Sequence, residues 1–239
     1  MAQEERPSPR GRDGGEGSPA EETAQETLNA LRARYASLEA RAAACLSPKR
    51  WRHVEGVIVT AVRLALRWGV DAEKAYLAAA LHDVAREMPR NRLLKATLDF
   101  GIVLSELEEQ VTPLLHAPVG AAMARREFGI DDPDVLAAIR YHTTGRVGMS
   151  PLEKIIFLAD YVEPGRSFPG VEKVRSLVWQ DLDEALLVAL SQSIVHLVGQ
   201  GAPIAVDAVE ARNHLLMQAS RRASGKSAQD GSDPACGQG

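Results

Sequence analysis

From about residue 47 to residue 217, apolar positions recur every three to four residues, the spacing of helices with one buried face. In SPKRWRHVEGVIVTAVRLALRWG, Val54, Val57, Ile58, Ala61, Leu64, Ala65 and Trp68 follow that period. Ser47 suits the N-cap, Pro48 the first helical position, and Gly69 ends the run. Asp71 caps a second helix, expected to reach about Arg86 before Pro89 stops it. Ser105 and Glu108 stand at capping-box spacing and open a segment over 105–115. Further helices are expected from about Pro118 to Phe128, where Gly129 follows, and from Asp132-Pro133 to about His142. In SPLEKIIFLADYVEPG, Ser150 is the cap, Pro151 the first residue and Glu153 the capping-box partner. The stretches Asp181–Gln200 and Asp207–Met217 complete the set, with Glu184 and Glu210 at capping-box spacing. No segment alternates with the period of two that a strand would show, and no repeat of fixed length appears. The fold class is therefore all-α, a compact multi-helix bundle.

The ends differ from the middle. Residues 1–26 and 220–239 are polar and rich in Gly, Ser and charge, too poor in apolar area to offset ordering entropy, and are expected to be disordered tails. One domain over 27–219 is the expectation. Composition changes this picture little: 45% hydrophobic and 25% charged residues are ordinary for a globular protein. The net charge of -4 provides no overall attraction to nucleic acid or to an anionic membrane. Cys45 and Cys236 are the two cysteines, the second in the polar tail, so a reducing cytoplasm fits better than a disulfide framework. No apolar run approaches the ~20 residues of a membrane span, and the charged N-terminus does not read as a signal peptide.

Six polar residues sit badly in this pattern: His53, His82, Asp83, His116, His142 and Asp160. Each lies in or beside an apolar helical run, as in AALHDVAREMP. Singly, a buried histidine bonded to a carbonyl explains any of them. Together, four of the six histidines and two carboxylates on successive helices are too many to bury unpaired, at a cost of several kcal/mol. A cation removes that cost by neutralising the carboxylates and taking the imidazole lone pairs. Mixed His/Asp ligation suits iron, manganese, cobalt, nickel or zinc. Six ligands exceed the need of one catalytic ion with open positions, so two ions sharing a carboxylate is the better count. Adjacent helical residues point ~100° apart, so His82 and Asp83 serve one ion together only near a helix end. His196 is expected in the core or an interface, His214 at a surface or pocket rim, and Trp51, Trp68 and Trp179 against the core.

The order His53, His82-Asp83, Asp160 resembles the HD-domain metal-dependent phosphohydrolases. LHDVAREMP, LLHAPVGAAMARREFGI, AIRYHTTGRVGMSPLEKIIFLADYVEPGRSFPGV and ARNHLL are similar to the YqeK-type subfamily, symmetrical diadenosine tetraphosphate hydrolases that yield two ADP. The likeness spans about residues 45–217. It implies a dinuclear centre, iron or another metal, with His53, His82, Asp83 and Asp160 on one ion and Asp83, His116 and His142 on the other. It also implies a homodimer. Arg86 departs from a lysine common at that place, with the charge kept.

Two such ions would lower the pKa of a shared water and present hydroxide to phosphorus, with Asp83 and Arg86 expected to act in catalysis. Local cations must then meet the polyphosphate. Arg86, Arg146, Lys154 and Arg166 are the candidates, with the Thr143 and Thr144 hydroxyls and a close backbone approach at Gly145. Arg212 and Asn213 would reach base or ribose, or cap the last helix. Alternatives in the same superfamily are a nucleotidase and a cyclic-nucleotide or alarmone hydrolase; a non-catalytic helical regulator is the alternative outside it. A nucleic-acid module lacks its basic stripe.

Overall fold

In the computed structural model, residues 18–229 are described, and among them are eleven helices and no strand. They are α1 (Pro19–Ala43), α2 (Pro48–Trp68), α3 (Ala72–Leu81), α4 (Arg90–Phe100), α5 (Glu106–Gln110), α6 (Thr112–Arg126), α7 (Pro133–Tyr141), α8 (Pro151–Val162), α9 (Val171–Leu177), α10 (Leu182–Gly199) and α11 (Val206–Gln229). Capping chemistry starts most of the expected ones. Ser47 Oγ accepts the Arg50 N–H, and Asp71, Asp132 and Asp181 each accept two backbone amides. Ser105–Glu108 and Ser150–Glu153 both close as capping boxes. Gly69 ends α2 in the left-handed region, at φ 66°, which a residue with a Cβ adopts only with strain.

The middle of the bundle is α8. Leu152, Ile155, Ile156, Phe157, Leu158 and Ala159 are all buried, so this helix is apolar nearly all round, as an interior helix must be. It packs against α2, α3, α7, α9 and α10, while α2 also holds α1 and α3. A second, smaller core of Val84, Ala85, Leu93, Leu115, Val119 and Met123 joins α4 to α6. The three tryptophans pack on the main core as expected, and Trp68 Nε1 donates to the Val178 carbonyl at 2.9 Å.

Several boundaries differ from the sequence reading, each for a local reason. α1 begins at Pro19, because Ala24, Leu28 and Leu31 bury against the bundle, so the first expected tail loses its last residues to a helix. α11 runs on to Gln229 rather than Met217, and Arg222 on its extension pairs with Asp183 at 2.7 Å. The rest of the expected tails, 1–17 and 230–239, lies outside the described residues. α3 stops at Leu81, five residues before Arg86, and tight turns follow. α6 starts at Thr112 and continues through Pro118, whose missing N–H is outweighed by the buried face of Leu115, Val119 and Met123. α4 and α9 have too few apolar positions to register as periodic: Leu93 and Thr97 are the buried residues of one, Val171 and Val174 of the other. α10 comes closer to a membrane span than expected, with 18 residues of mean hydropathy 1.3, yet Leu182, Ala185, Leu186, Ala189 and Leu190 are packed inside the protein. His196 on it is exposed, which removes the core alternative of its two expected places and leaves the interface one.

Candidate metal centre

Three of the histidines turn back on their helices in the same way. His82 is the C-cap of α3, His142 the C-cap of α7, and His116 lies in the second turn of α6. Each Nδ1–H donates to the carbonyl three residues earlier: Ala79 at 2.7 Å, Pro113 at 2.6 Å and Ile139 at 2.8 Å. A carbonyl only accepts, so the proton is on Nδ1 and Nε2 is left as a bare lone pair. His53, on α2, reaches the same state through a side chain, its Nδ1 bonded to Glu163 Oε1 at 3.1 Å. Adjacent rings of the cluster stand 5.0–5.6 Å apart, edge to face.

Asp83 lies between them, 4% exposed. Its Oδ2 is 3.8 Å from His53 Nε2 and 3.5 Å from His82 Nε2, while Oδ1 is 3.3 Å from His116 Nε2 and 3.9 Å from His142 Nε2. Asp160, near the C-terminus of α8, puts Oδ1 3.1 Å from His53 Nε2. All six residues singled out in the sequence therefore meet. Their ligand atoms form three overlapping groups, each within 4.8 Å: His53, His82 and Asp83; His82, His142 and Asp160; Asp83, His116 and His142.

The donor set fits metal ions. Nε2 of His53 and of His82 are buried without a hydrogen-bond partner. Nε2 of His116 and His142 face each other at 3.1 Å, with the single Thr143 hydroxyl 3.4 Å and 3.2 Å away, able to donate to only one of them. Unmet buried acceptors cost ~1–3 kcal/mol each, and a cation at the cluster satisfies them. Charge states agree. Burial and the neighbouring imidazoles of His116 and His82 pull His142 down to about 3, so it is neutral at physiological pH. Burial alone would raise Asp83 and Asp160, but the surrounding imidazoles outweigh it and hold both well below the carboxylate range. His82 departs from this: burial opposes its charge, but the Asp83 carboxylate overcomes burial and raises the pKa, so an ion on Nε2 would displace a proton.

The cluster opens into a pocket of about 290 Å3. Arg86 and Arg166 line it as expected, and so does Thr143, whose Oγ1 is 3.2 Å from His142 Nε2. Arg86 Nη1 donates to the Pro113 carbonyl at 3.3 Å. Arg166 bonds both the carbonyl and the carboxylate of Asp160. Two residues beside the cluster escaped the sequence reading. Arg50 lies 3.2 Å from Asp83 Oδ2; its signal was its place three residues before His53, on the same helix face. Glu163 follows Asp160 by the same interval and orients His53. A Cβ at Gly56 would fall 2.7 Å from Glu163 Oε2, and one at Gly165 2.9 Å, so both glycines make room for that carboxylate.

The remaining expected contacts are used elsewhere, and none of them lines this pocket. Arg146 forks onto Glu153, with Nε at 2.6 Å, because a carboxylate 1% exposed requires a cation. Lys154 pairs with Asp183 at 2.5 Å. Thr144 Oγ1 donates to the Gly145 carbonyl, and Gly145, at φ 66°, packs on Met149, Leu190 and Ala211 rather than on the pocket. Arg212 Nε donates to Ser191 Oγ at 2.9 Å and its Nη1 to the exposed Asn213. His214 lines a small cavity beside Arg146 and Lys154, the rim position expected for it.

Comparison with known proteins places the chain among HD-domain proteins. The HD domain pattern matches residues 50–165. The "Bis(5'-nucleosyl)-tetraphosphatase, symmetrical" of Halalkalibacterium halodurans is 47% identical over 176 residues, covering 72% of this chain and 92% of that protein. The enzyme of the same name from Bacillus subtilis is 42% identical over 171 residues, 72% of this chain and 91% of the other. Among solved structures, a "predicted HD superfamily hydrolase involved in NAD metabolism" from Clostridium acetobutylicum superposes with a TM-score of 0.75 at 40% identity, covering 77% of this chain and 97% of that one.

Proposed function

The chain belongs to the HD-domain family, among the symmetrical bis(5'-nucleosyl)-tetraphosphatases, and on that premise we propose that it hydrolyses diadenosine tetraphosphate to two ADP. The observation that carries the reading is the division of Asp83: one oxygen toward His53 and His82, the other toward His116 and His142. A carboxylate so placed would bridge two ions, the first held by His53, His82, Asp83 and Asp160, the second by Asp83, His116 and His142. Iron is the metal favoured, since histidine with carboxylate suits it and leaves positions open, and manganese is the first alternative. Bound there, the ions would supply Lewis acidity and a water nucleophile at neutral pH.

The chain's own residues do the rest. The carbonyls of Ala79, Pro113 and Ile139 keep three imidazoles in the ligating tautomer, and Glu163 does so for His53. Arg50, Arg86 and Arg166 ring the pocket and would neutralise the tetraphosphate, which an acidic protein must do locally. Thr143 adds a hydroxyl donor. The homodimer implied by the resemblance belongs to the proposal as well.

The test is product identification with iron- or manganese-loaded protein and diadenosine tetraphosphate. ADP as sole nucleotide product is expected. AMP with ATP, or cleavage confined to a monophosphate or cyclic nucleotide, would contradict the reading.

A further inference from the structure

The ion pocket continues on two sides, and charge divides them. On one side it shares Arg50 and Arg166 with a cleft of about 590 Å3 that adds Lys49 and Arg52, so that four cations outnumber the carboxylates of Glu87 and Glu163 on its wall. On the other it shares Tyr161, Phe168 and Ser193 with a groove of about 720 Å3, lined further by Gln192, Val195 and His196, and among the described residues no lysine or arginine lines it. A dinucleoside polyphosphate has the same division, an anionic middle and uncharged ends. With its phosphates at the ions and guanidiniums, an end that leaves by the groove meets neutral walls.

Those walls suit a nucleobase. Tyr161 and Phe168 stand 5.0 Å apart at 86°, a corner of two aromatic faces, and Phe168 is 37% exposed. Val195, 70% exposed, adds apolar surface. Gln192 is held in place at both ends of its amide: Oε1 accepts the Tyr161 hydroxyl at 2.8 Å and Nε2 donates to the Gly170 carbonyl at 3.3 Å. A primary amide keeps a second N–H and a second lone pair after those bonds, the pair of functions that reads a base edge. Gly170, at φ 90°, admits this arrangement, since a Cβ there would lie 2.8 Å from Gln192 Nε2.

We propose that this groove binds one nucleoside of the substrate, its base against Tyr161 and Phe168 and its edge on Gln192. A symmetric dinucleotide is then held by unlike arms, one aromatic and neutral, the other basic. This rests on the function proposed above.

The experiment titrates ADP and inorganic pyrophosphate into metal-loaded wild-type, Phe168→Ala and Gln192→Ala proteins by calorimetry, and measures KM for diadenosine tetraphosphate. Stacking losses of this kind weaken binding roughly tenfold. Phe168→Ala should therefore raise the Kd of ADP and the KM about tenfold, with the Kd of pyrophosphate unchanged; Gln192→Ala should shift ADP several-fold in the same sense. Unchanged ADP binding, or equal weakening of ADP and pyrophosphate, overturns the groove assignment. Should Phe168→Ala not fold, Gln192→Ala decides alone. If the wild type binds ADP but releases none from diadenosine tetraphosphate, the proposed function fails while a selective loss of ADP in the variants still upholds the groove.

Discussion

Asp83 turns one oxygen to each pair of histidines, so its removal takes a ligand from both ion positions at once. Purified Asp83→Ala is expected to hold no metal, and His116→Ala to lose about half of the wild-type content, as read by elemental analysis. Glu163 acts at one remove. Glu163→Gln keeps an acceptor for His53 but loses the charge that makes the imidazole a stronger ligand, and metal affinity should drop ~10–100-fold in chelator competition. Gly56→Ala should lower it too. In an ordinary helix interior that change is stabilising by ~1 kcal/mol, so a loss traces to the Glu163 carboxylate displaced by the new Cβ. The six candidate ligands were legible in the sequence because each interrupts an apolar run, and burial of a polar group demands a partner. The cations were less so. Arg146 and Arg50 both stand near a ligand in sequence, but which way a side chain turns depends on the nearest carboxylate in space. That is Glu153 for one and Asp83 for the other.

At the scale of elements, two of the candidate ligands occupy helix C-caps for a reason. The last carbonyls of a helix lack intrahelical donors, and an imidazole Nδ1–H at the C-cap supplies one while aiming Nε2 inward. α3 and α7 both end this way, on His82 and His142. α8 is tied to the loop before it by Glu153, which accepts the Ser150 N–H at 2.7 Å and the Arg146 fork. Arg146→Met leaves that carboxylate buried and short of a partner, and should lower unfolding free energy by ~2 kcal/mol in denaturant titration. KM for diadenosine tetraphosphate should stay as in the wild type, which a phosphate-binding role for Arg146 would not allow. Helix starts were read correctly at Ser47, Asp71, Ser105, Asp132, Ser150 and Asp181, whereas α11 begins at Val206, before Asp207, and the Ser18 cap of α1 was missed. The misses, α1, α4 and α9, have weak periodicity and owe their helicity to packing, which no local pattern records.

For the molecule as a whole, carboxylates outside the ion site add to the response to acid. Burial alone would raise Glu108, but the Ser105 amide and Arg140 outweigh it and lower its pKa from 4.5. Asp183 is lowered from 3.8 in the same way, burial being outweighed by Lys154 and Arg222. Each is protonated more readily when unfolded, so its stabilisation is full above its unfolded pKa and fades as pH falls through the folded one. Unfolding free energy should thus decline from about pH 5 downward, and Glu108→Gln should make that decline shallower; an acid limb identical to the wild type's would rule Glu108 out. Periodicity, capping residues and out-of-place histidines determined the all-α class, most helix positions and the six candidate ligands, since all of these depend on neighbours a few residues away. The division of Asp83 between two sets of imidazoles, the glycine-lined seat of Glu163, the choice of Arg50 over Arg146 and the neutral groove beyond the ions were decided by tertiary structure. Each arises only where side chains distant in sequence are brought within a few ångströms, and there burial and charge select the partner.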